Sequence, residues 1–140
     1  MKVEIIDYNP KLHENFVKSY LTSYLSHGFI YDLSPDERNL IKNKLLFNLD
    51  CYIKKIATDA NDPSKFLGFI IYEDSIVPTL LFIYVKKEYQ RLGIGTKLLN
   101  DSMDFIISEV QVPMKTPNLN FFLRKLKLRP LLRFYQLLGL

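Results

Sequence analysis

The feature that most constrains this chain is a pair of glycines between an apolar run and an amphipathic segment. The apolar run is rich in β-branched and aromatic residues, which predicts a buried strand: Thr79-Leu80-Leu81-Phe82-Ile83-Tyr84-Val85. Apolar residues at helical spacing follow the glycines and predict a helix: Ile94, Leu98, Leu99, Phe105 and Ile106. A strand, a glycine turn and a helix N-terminus in this order are typical of an anion site. Glycines let backbone N–H groups approach a phosphate, and the helix N-terminus favours negative charge.

The six residues that join this strand to the helix are Gln90-Arg91-Leu92-Gly93-Ile94-Gly95. They contain neither the Gly-x-x-x-x-Gly-Lys-Ser/Thr loop nor the third glycine of a dinucleotide fingerprint. Gln-x-x-Gly-x-Gly after a strand resembles the signature of the GNAT superfamily of N-acetyltransferases, whose pyrophosphate loop for acetyl-CoA reads Gln/Arg-x-x-Gly-x-Gly/Ala. The alternative interpretation is a glycine turn that joins strand and helix without a ligand.

The predicted order of elements strengthens this resemblance. A strand is predicted at 2–8, followed by a helix that starts after Asn9-Pro10 and ends near Gly28. A second helix runs from the capping box Ser34-Pro35-Asp36-Glu37 to about Asn48. Strands at 52–58 and 66–72, joined by a turn at 59–64, then precede the strand and helix around the glycines, and a fifth strand follows at 109–112. The resemblance implies an α/β fold over residues 1–140. It would be a single GNAT-like domain with a mixed sheet of five or more strands and flanking helices.

The resemblance is weaker after residue 112. Residues 113–117 form a loop with two prolines, and Leu119, Phe122, Leu123 and Leu126 predict a short helix that Pro130 interrupts. The ending at 133–140 resembles the family's helix segment in which Phe-Tyr precedes a Leu-Gly-Phe ending. Family members usually continue into one or two more strands. Either those strands are absent here, or residues 117–140 form them.

Charge is unevenly distributed along the chain. Residues 115–140 carry six basic and no acidic side chains, whereas the net charge of the whole chain is +4, so residues 1–114 carry −2. A basic segment of this kind suits nucleic acid, an anionic membrane or the phosphates of a cofactor, and it is also typical of a solvated helix face. We favour the solvated face near a cofactor site.

Composition narrows the class of protein further. No run of 18 apolar residues occurs, and the N-terminal residues lack a signal peptide's apolar core, so we expect a cytoplasmic protein without a membrane span. We expect the single cysteine, Cys51, to be a small buried residue of a strand and not a nucleophile. His13 and His27 with one cysteine do not form a zinc set, so no metal is predicted.

The resemblance implies a cofactor site for acetyl-CoA. The backbone of Gln90, Arg91, Leu92, Gly93, Ile94, Gly95 and Thr96 would hold the pyrophosphate, with Arg91 or Lys97 adding positive charge. The open edge of the strand at Ile83, Tyr84 and Val85 would pair with the pantetheine arm, and an N–H there would face the thioester oxygen.

The resemblance also implies the catalytic group. Tyr135 matches the tyrosine of the family's Phe-Tyr segment and would act as the general acid, because a phenol can protonate a departing thiolate; the alternative is a tyrosine packed on a helix face. The resemblance does not identify the base: Glu73, Asp74 and Glu88 are candidates from their positions in the sequence, and a chain of waters could replace them all. Tyr31 and Asp32, between the first two helices, could meet the acceptor or simply face solvent.

Two functions remain after these steps. The first is an N-acetyltransferase that moves an acetyl group from acetyl-CoA to an amine on a small molecule or a protein. The second is a non-catalytic GNAT-like module that binds CoA or an anionic macromolecule, with nucleic acid less favoured. The apolar side chains Phe121, Phe122, Phe134 and Leu137 would allow a homodimer by covering a partner's sheet edge.

Overall fold

The computed structural model describes residues 1–27, 34–73, 79–102, 109–112 and 129–132. The elements are β1 (Val3–Asp7), α1 (Pro10–His27), α2 (Pro35–Phe47), β2 (Ile53–Asp59), β3 (Asp62–Glu73), β4 (Thr79–Val85), α3 (Ile94–Ser102), β5 (Glu109–Val112) and β6 (Arg129–Leu132), with short 3-10 turns at Leu49–Cys51 and Lys87–Tyr89. The strands follow one another across one sheet. β1 to β4 pair antiparallel, whereas β4–β5 and β5–β6 pair parallel. The predicted α/β fold with a mixed sheet and helices is therefore confirmed.

The two N-terminal helices begin where local side-chain chemistry predicts. The Asn9 side chain accepts a hydrogen bond from the Lys11 N–H at 3.0 Å, and Pro10 occupies the first helical position of α1. The Ser34 hydroxyl accepts from the Glu37 N–H, while the Glu37 carboxylate accepts from the Ser34 N–H, both at 3.2 Å. This reciprocal pair is a capping box, and it fixes the start of α2.

The hairpin between β2 and β3 is tighter than predicted. Asp59 pairs with Asp62, so only Ala60 and Asn61 form the turn, and β3 begins four residues earlier than expected. Pro63 is tolerated there because the register shifts between Thr58 and Asp59 leave part of β3 outside the ladder.

Both faces of the sheet carry buried side chains at β2, β3 and β4, on one side under α1 and α2 and on the other under α3. The α1 face is formed by Val17, Leu21, Leu49, Ile56, Phe69, Ile71, Leu81 and Phe82. The α3 face is formed by Ala57, Leu67, Ile70, Tyr72, Leu80, Ile83, Val85, Ile94, Leu98 and Leu99. β4 contributes to both, which explains why its sequence is apolar throughout rather than alternating.

An irregularity in β4 interrupts its pairing with β3. Tyr72 pairs with Leu80 and Ile71 pairs with Phe82, so Leu81 is an extra residue in the ladder. Leu81 and the adjacent Phe82 consequently both pack on the α1 face. A bulge of this kind bends a strand and increases its twist. The second half of β4, which remains paired with β3 up to Val85, therefore runs in a direction that this bulge sets.

The prediction that Cys51 is a buried strand residue is wrong. Cys51 is exposed at the end of the 3-10 turn Leu49–Cys51, two residues before β2 begins. The polar sequence Asn48-Leu49-Asp50 continues the chain into this turn after α2, and only Leu49 is buried in it.

Several predictions concern residues outside the described part of the chain. They are the helix end near Gly28, the acceptor residues Tyr31 and Asp32, the carboxylate of Asp74, the helical positions Phe105 and Ile106, the segments 113–128 and 133–140, and Tyr135. Within the described ranges, no helix has the length and apolar character that crossing a membrane requires.

Candidate functional site

At the C-terminal end of β4, some backbone N–H and C=O groups point away from the neighbouring strand β3. The Lys86 N–H donates to the Leu67 carbonyl of β3 at 2.9 Å. The Tyr84 carbonyl also faces β3, since a Cβ atom added to Gly68 would lie 2.4 Å from the Tyr84 oxygen. Because backbone groups alternate in direction along a strand, the N–H and C=O of Val85 point the opposite way. The same alternation directs those of Ile83 to this open edge.

Among the described residues, the parallel strand β5 pairs with β4 only at the beginning of β4. In the described part of the chain, the pairing consists of Thr79 with Gln111, and β5 ends one residue later at Val112. The backbone groups of Ile83 and Val85 therefore have no strand partner among the described residues. An open strand edge of this kind can accept an extended ligand by backbone hydrogen bonding.

The loop that follows β4 is fixed to the strand by one side chain. The Gln90 amide donates from Nε2 to the Val85 carbonyl at 3.0 Å. Arg91 and Gly93 then adopt positive φ angles of 67° and 80°, which reverse the chain before α3 begins. Among the described residues, a Cβ atom at Gly93 would meet nothing within 4 Å, so the loop backbone faces open space in this part of the structure. A ligand could approach this backbone closely.

The N-terminus of α3 is directed at the same place. The Lys97 N–H makes a helical bond to the Gly93 carbonyl at 3.0 Å, so the preceding N–H groups have no acceptor within the helix. Ile94 and Gly95 are buried, which holds this first turn against the sheet. The Thr96 hydroxyl is buried and has no hydrogen-bond partner in the described part of the structure. These donors and the helix dipole suit an anion.

Basic side chains surround the loop. Arg91 and Lys87 are exposed beside it, with Glu88 the acidic residue of the same turn. Lys65 and Lys86 each lie 5.3 Å from a ring centroid, above Tyr89 and Phe16 respectively. The local charge thus favours an anionic ligand.

Lys97 makes a contact that its position in the sequence does not predict. Its ammonium donates to the Val3 carbonyl at 2.5 Å and so joins α3 to β1. Arg91 is exposed on the loop itself and is the better placed of the two cations for an anion at Gly93.

An aromatic cluster supports the open edge from the α1 face. Tyr84 stacks on Tyr20 with ring centroids 4.7 Å apart, and it also contacts Phe69 at 5.7 Å. Phe16 contacts both Tyr20 and Phe69 edge to face. Stacked and edge-to-face rings stabilise a cluster beyond the burial of their area, so the second half of β4 has a firm support.

The two described carboxylates that are candidate bases lie at opposite ends of β4. Glu73 pairs with Thr79 at the start of the strand, and Glu88 is exposed after its end. The seven residues of β4 span roughly 20 Å between these two ends. Glu73 lies near Tyr52, whose pKa is raised first by burial and then by the charge of Glu73.

Sequence reasoning missed three features of this site. They are the hydrogen bond from Gln90 to the Val85 carbonyl, the bulge at Leu81 and the close approach of Gly68 to Tyr84. Only Gly68 carries a sequence signal, because a glycine inside an apolar strand often marks a close backbone contact.

Comparison with known proteins identifies the family. The model of the acetyltransferase (GNAT) family matches residues 14–126. The chain therefore belongs to the GNAT family of acetyltransferases, whose members transfer an acyl group to an amine acceptor. Comparison with the curated proteins finds no match.

Solved structures share the fold. An acetyltransferase of the GNAT family from Staphylococcus aureus Mu50 matches 71% of this chain with a TM-score of 0.50 and 22% identity. A proposed acetyltransferase from Deinococcus radiodurans R1 matches 96% of this chain and 90% of its own, with a TM-score of 0.51 and 15% identity. The chain spans 62% of the Staphylococcus aureus protein and 12% of a matched fungal multidomain β-N-acetylglucosaminidase, which is less than two thirds of either.

Proposed function

We propose that this chain is an acetyl-CoA-dependent N-acetyltransferase. The observation that carries the proposal is the geometry after β4, where an open strand edge leads into a loop at Gly93 that faces free space and then into a helix N-terminus. Residues 1–140 would form one such domain, in which β5 and β6 bring the family's sheet to five or more strands and residues 115–140 form a basic segment. The acceptor would be an amine on a small molecule or a protein.

Each part of the site has a role in holding the substrate. The backbone from Gln90 to Thr96 would bind the pyrophosphate of acetyl-CoA. The Thr96 hydroxyl, which has no partner among the described residues, is a suitable additional donor. Arg91 would add positive charge. The outward N–H and C=O groups of Ile83 and the outward N–H of Val85 would pair with the pantetheine arm, beside Tyr84.

The reaction requires little beyond this positioning. The amine, after losing a proton, attacks the thioester carbonyl, a C–N bond forms and the C–S bond breaks, and the thiolate takes up a proton. A backbone N–H on the open edge would stabilise the oxyanion. Tyr135 would supply the proton to the thiolate, and Glu73, Asp74, Glu88 or a chain of waters would accept the proton of the amine.

A pair of substitutions at Gly93 tests whether an anion binds in this loop. Asn and Asp are similar in size and both tolerate a positive φ, so they differ mainly in charge. Gly93→Asp should weaken acetyl-CoA binding at least 100-fold relative to Gly93→Asn, because a carboxylate would face the pyrophosphate. Calorimetry with acetyl-CoA measures both affinities. Gly95 is less suitable for this test because it is buried in the first turn of α3.

The outcomes separate the competing interpretations. Equal affinities of the Asp and Asn variants would mean that the anion binds elsewhere. If the wild type binds acetyl-CoA but releases no free thiol with any amine or peptide acceptor, the non-catalytic module becomes the better interpretation. A module that binds nucleic acid would instead lose affinity steeply with salt.

A further inference from the structure

We infer that Gln90 is a positioning residue. Because its side chain binds the Val85 carbonyl, the end of the open edge of β4 presents only the Val85 N–H, which can donate to a hydrogen-bond acceptor of a ligand. The inference deepens the proposed function and rests on it. The side chain of Gln90 would thus shape recognition without touching the phosphates.

Pairing with β3 sets the direction of the backbone groups at the end of β4. The bond from Lys86 N–H to the Leu67 carbonyl faces β3, so the N–H and C=O of Val85 face the open edge. The Gln90 Nε2 atom lies 3.0 Å from the Val85 oxygen in a half-buried bond. The amide therefore supplies the donor that the backbone of a neighbouring strand would otherwise supply.

This bond makes the two residues of the open edge unequal. The N–H of Val85 remains directed outward as a donor, while its carbonyl is engaged by Gln90. Ile83 keeps both its N–H and its C=O toward the edge. A ligand that lies along β4 should therefore present a carbonyl or phosphoryl oxygen at Val85, and an amide, with both donor and acceptor, at Ile83.

The same bond fixes the position of the loop. Gln90 is followed by Arg91 and Gly93, whose positive φ angles turn the chain toward α3. The hydrogen bond between Gln90, the first loop residue, and Val85, at the strand end, limits how far this turn can move relative to Val85. Loss of this hydrogen bond should weaken recognition of the phosphate end and of the pantetheine end together.

The first measurement examines the hydrogen bond between Gln90 and the Val85 carbonyl in the protein without ligand. Gln90→Met has a similar length but no donor, and Gln90→Arg restores one. The ¹³C resonance of the Val85 carbonyl should shift in Gln90→Met and return toward the wild-type position in Gln90→Arg. Asn100→Met, an amide replaced on the exposed side of α3, is the matched control and should leave this resonance unchanged. A Val85 resonance that is the same in all variants would overturn the inference.

The second measurement separates a positioning role from direct phosphate contact. Acetyl-CoA and S-acetylpantetheine, which has no phosphate, are titrated while the amide signals of Ile83 and Val85 are followed. Gln90→Met should raise Kd about tenfold for both ligands, and Gln90→Arg should recover most of the affinity for S-acetylpantetheine. If only the Kd for acetyl-CoA rises, Gln90 contacts phosphate and the inference is wrong.

Failure of the proposed function has a different signature. In that case the wild type itself would bind neither ligand, and the inference about recognition would fall with it. If the wild type binds and Gln90→Met binds equally well, the proposed function stands and the inference alone is overturned.

Discussion

Two regions of this molecule differ in how their buried polar groups are satisfied. The first, which we call the paired region, lies around the start of α1 and the turn after α2. There the His13 ring accepts a hydrogen bond from the Asn9 N–H at 2.9 Å. The Lys54 ammonium donates to the Leu49 and Tyr52 carbonyls at 2.6 and 2.8 Å. Around the end of β4, neither the buried Thr96 hydroxyl nor the outward backbone of Ile83 has a partner among the described residues.

This contrast separates polar groups that stabilise the fold from polar groups that are available to a ligand. A buried polar group that has its partner helps to hold the fold, whereas one without a partner costs free energy unless a ligand satisfies it. We therefore expect substitutions in the first region to lower stability, and substitutions in the second to weaken ligand binding or turnover.

The largest effect is expected at Lys54, which is 8% exposed and also lies 4.7 Å above the Tyr8 ring. Lys54→Met should lower the free energy of unfolding by about 3 kcal/mol, because two carbonyls lose a charged donor. The neighbouring Lys55 donates to the Asp101 carbonyl in an exposed bond, so Lys55→Met should cost well under about 1 kcal/mol. Urea denaturation compares the two. Similar losses in the free energy of unfolding would mean that Lys54 contributes little to the stability of the paired region.

The second effect concerns Tyr135, the proposed general acid. Tyr135→Phe should lower turnover about 100-fold with little change in acetyl-CoA affinity, the usual scale for a general acid. Tyr8→Phe, in the paired region, serves as the control for a lost phenol. Unchanged turnover in Tyr135→Phe would mean that water or another group protonates the thiolate and that Tyr135 is structural.

Local chemistry explains how much of this molecule could be predicted from its sequence. The capping box at Ser34, the Asn9-Pro10 start of α1 and the apolar run of β4 act over a few residues, and each was confirmed. The bond from Gln90 to Val85 depends on which way a strand end faces, and the short β2–β3 turn depends on register. No spacing in the sequence encodes either, because both arise only when strands pair.

The third effect compares two glycines. Gly68 is opposite Val85, and a Cβ there would clash with the Tyr84 carbonyl at 2.4 Å, whereas a Cβ at Gly93 meets nothing. Gly68→Ala should cost about 2 kcal/mol of stability by forcing β3 and β4 apart, and Gly93→Ala about 1 kcal/mol through its positive φ alone. Thermal unfolding ranks them. A larger loss at Gly93 would place the tight contact in the loop and contradict the comparison.

The fourth effect tests whether a partnerless hydroxyl marks a ligand. Thr96→Val should leave stability unchanged or slightly raised and should raise the Kd for acetyl-CoA about tenfold, equivalent to about 1.4 kcal/mol. Thr58 also carries a buried hydroxyl without a partner in the described structure, but it lies in β2 opposite Glu4. Thr58→Val is therefore the matched control and should not alter the Kd. Equal affinities of wild type and Thr96→Val would exclude this hydroxyl from the site.

The smallest effect is a pH dependence of stability in the paired region. Burial lowers the pKa of His13, and protonation of Nδ1 would remove the acceptor for the Asn9 N–H. The unfolded chain then binds the proton at higher pH than the folded one. The free energy of unfolding should therefore be fully retained above the ordinary histidine pKa of about 6.5 and fall as the pH drops below it. His13→Gln keeps a side-chain acceptor but does not titrate, so its stability should lack this decrease. Denaturation curves between pH 7.5 and about 5.5, above the range in which exposed carboxylates titrate, measure the difference. Parallel curves for wild type and His13→Gln would show that the cap of α1 does not depend on a neutral His13.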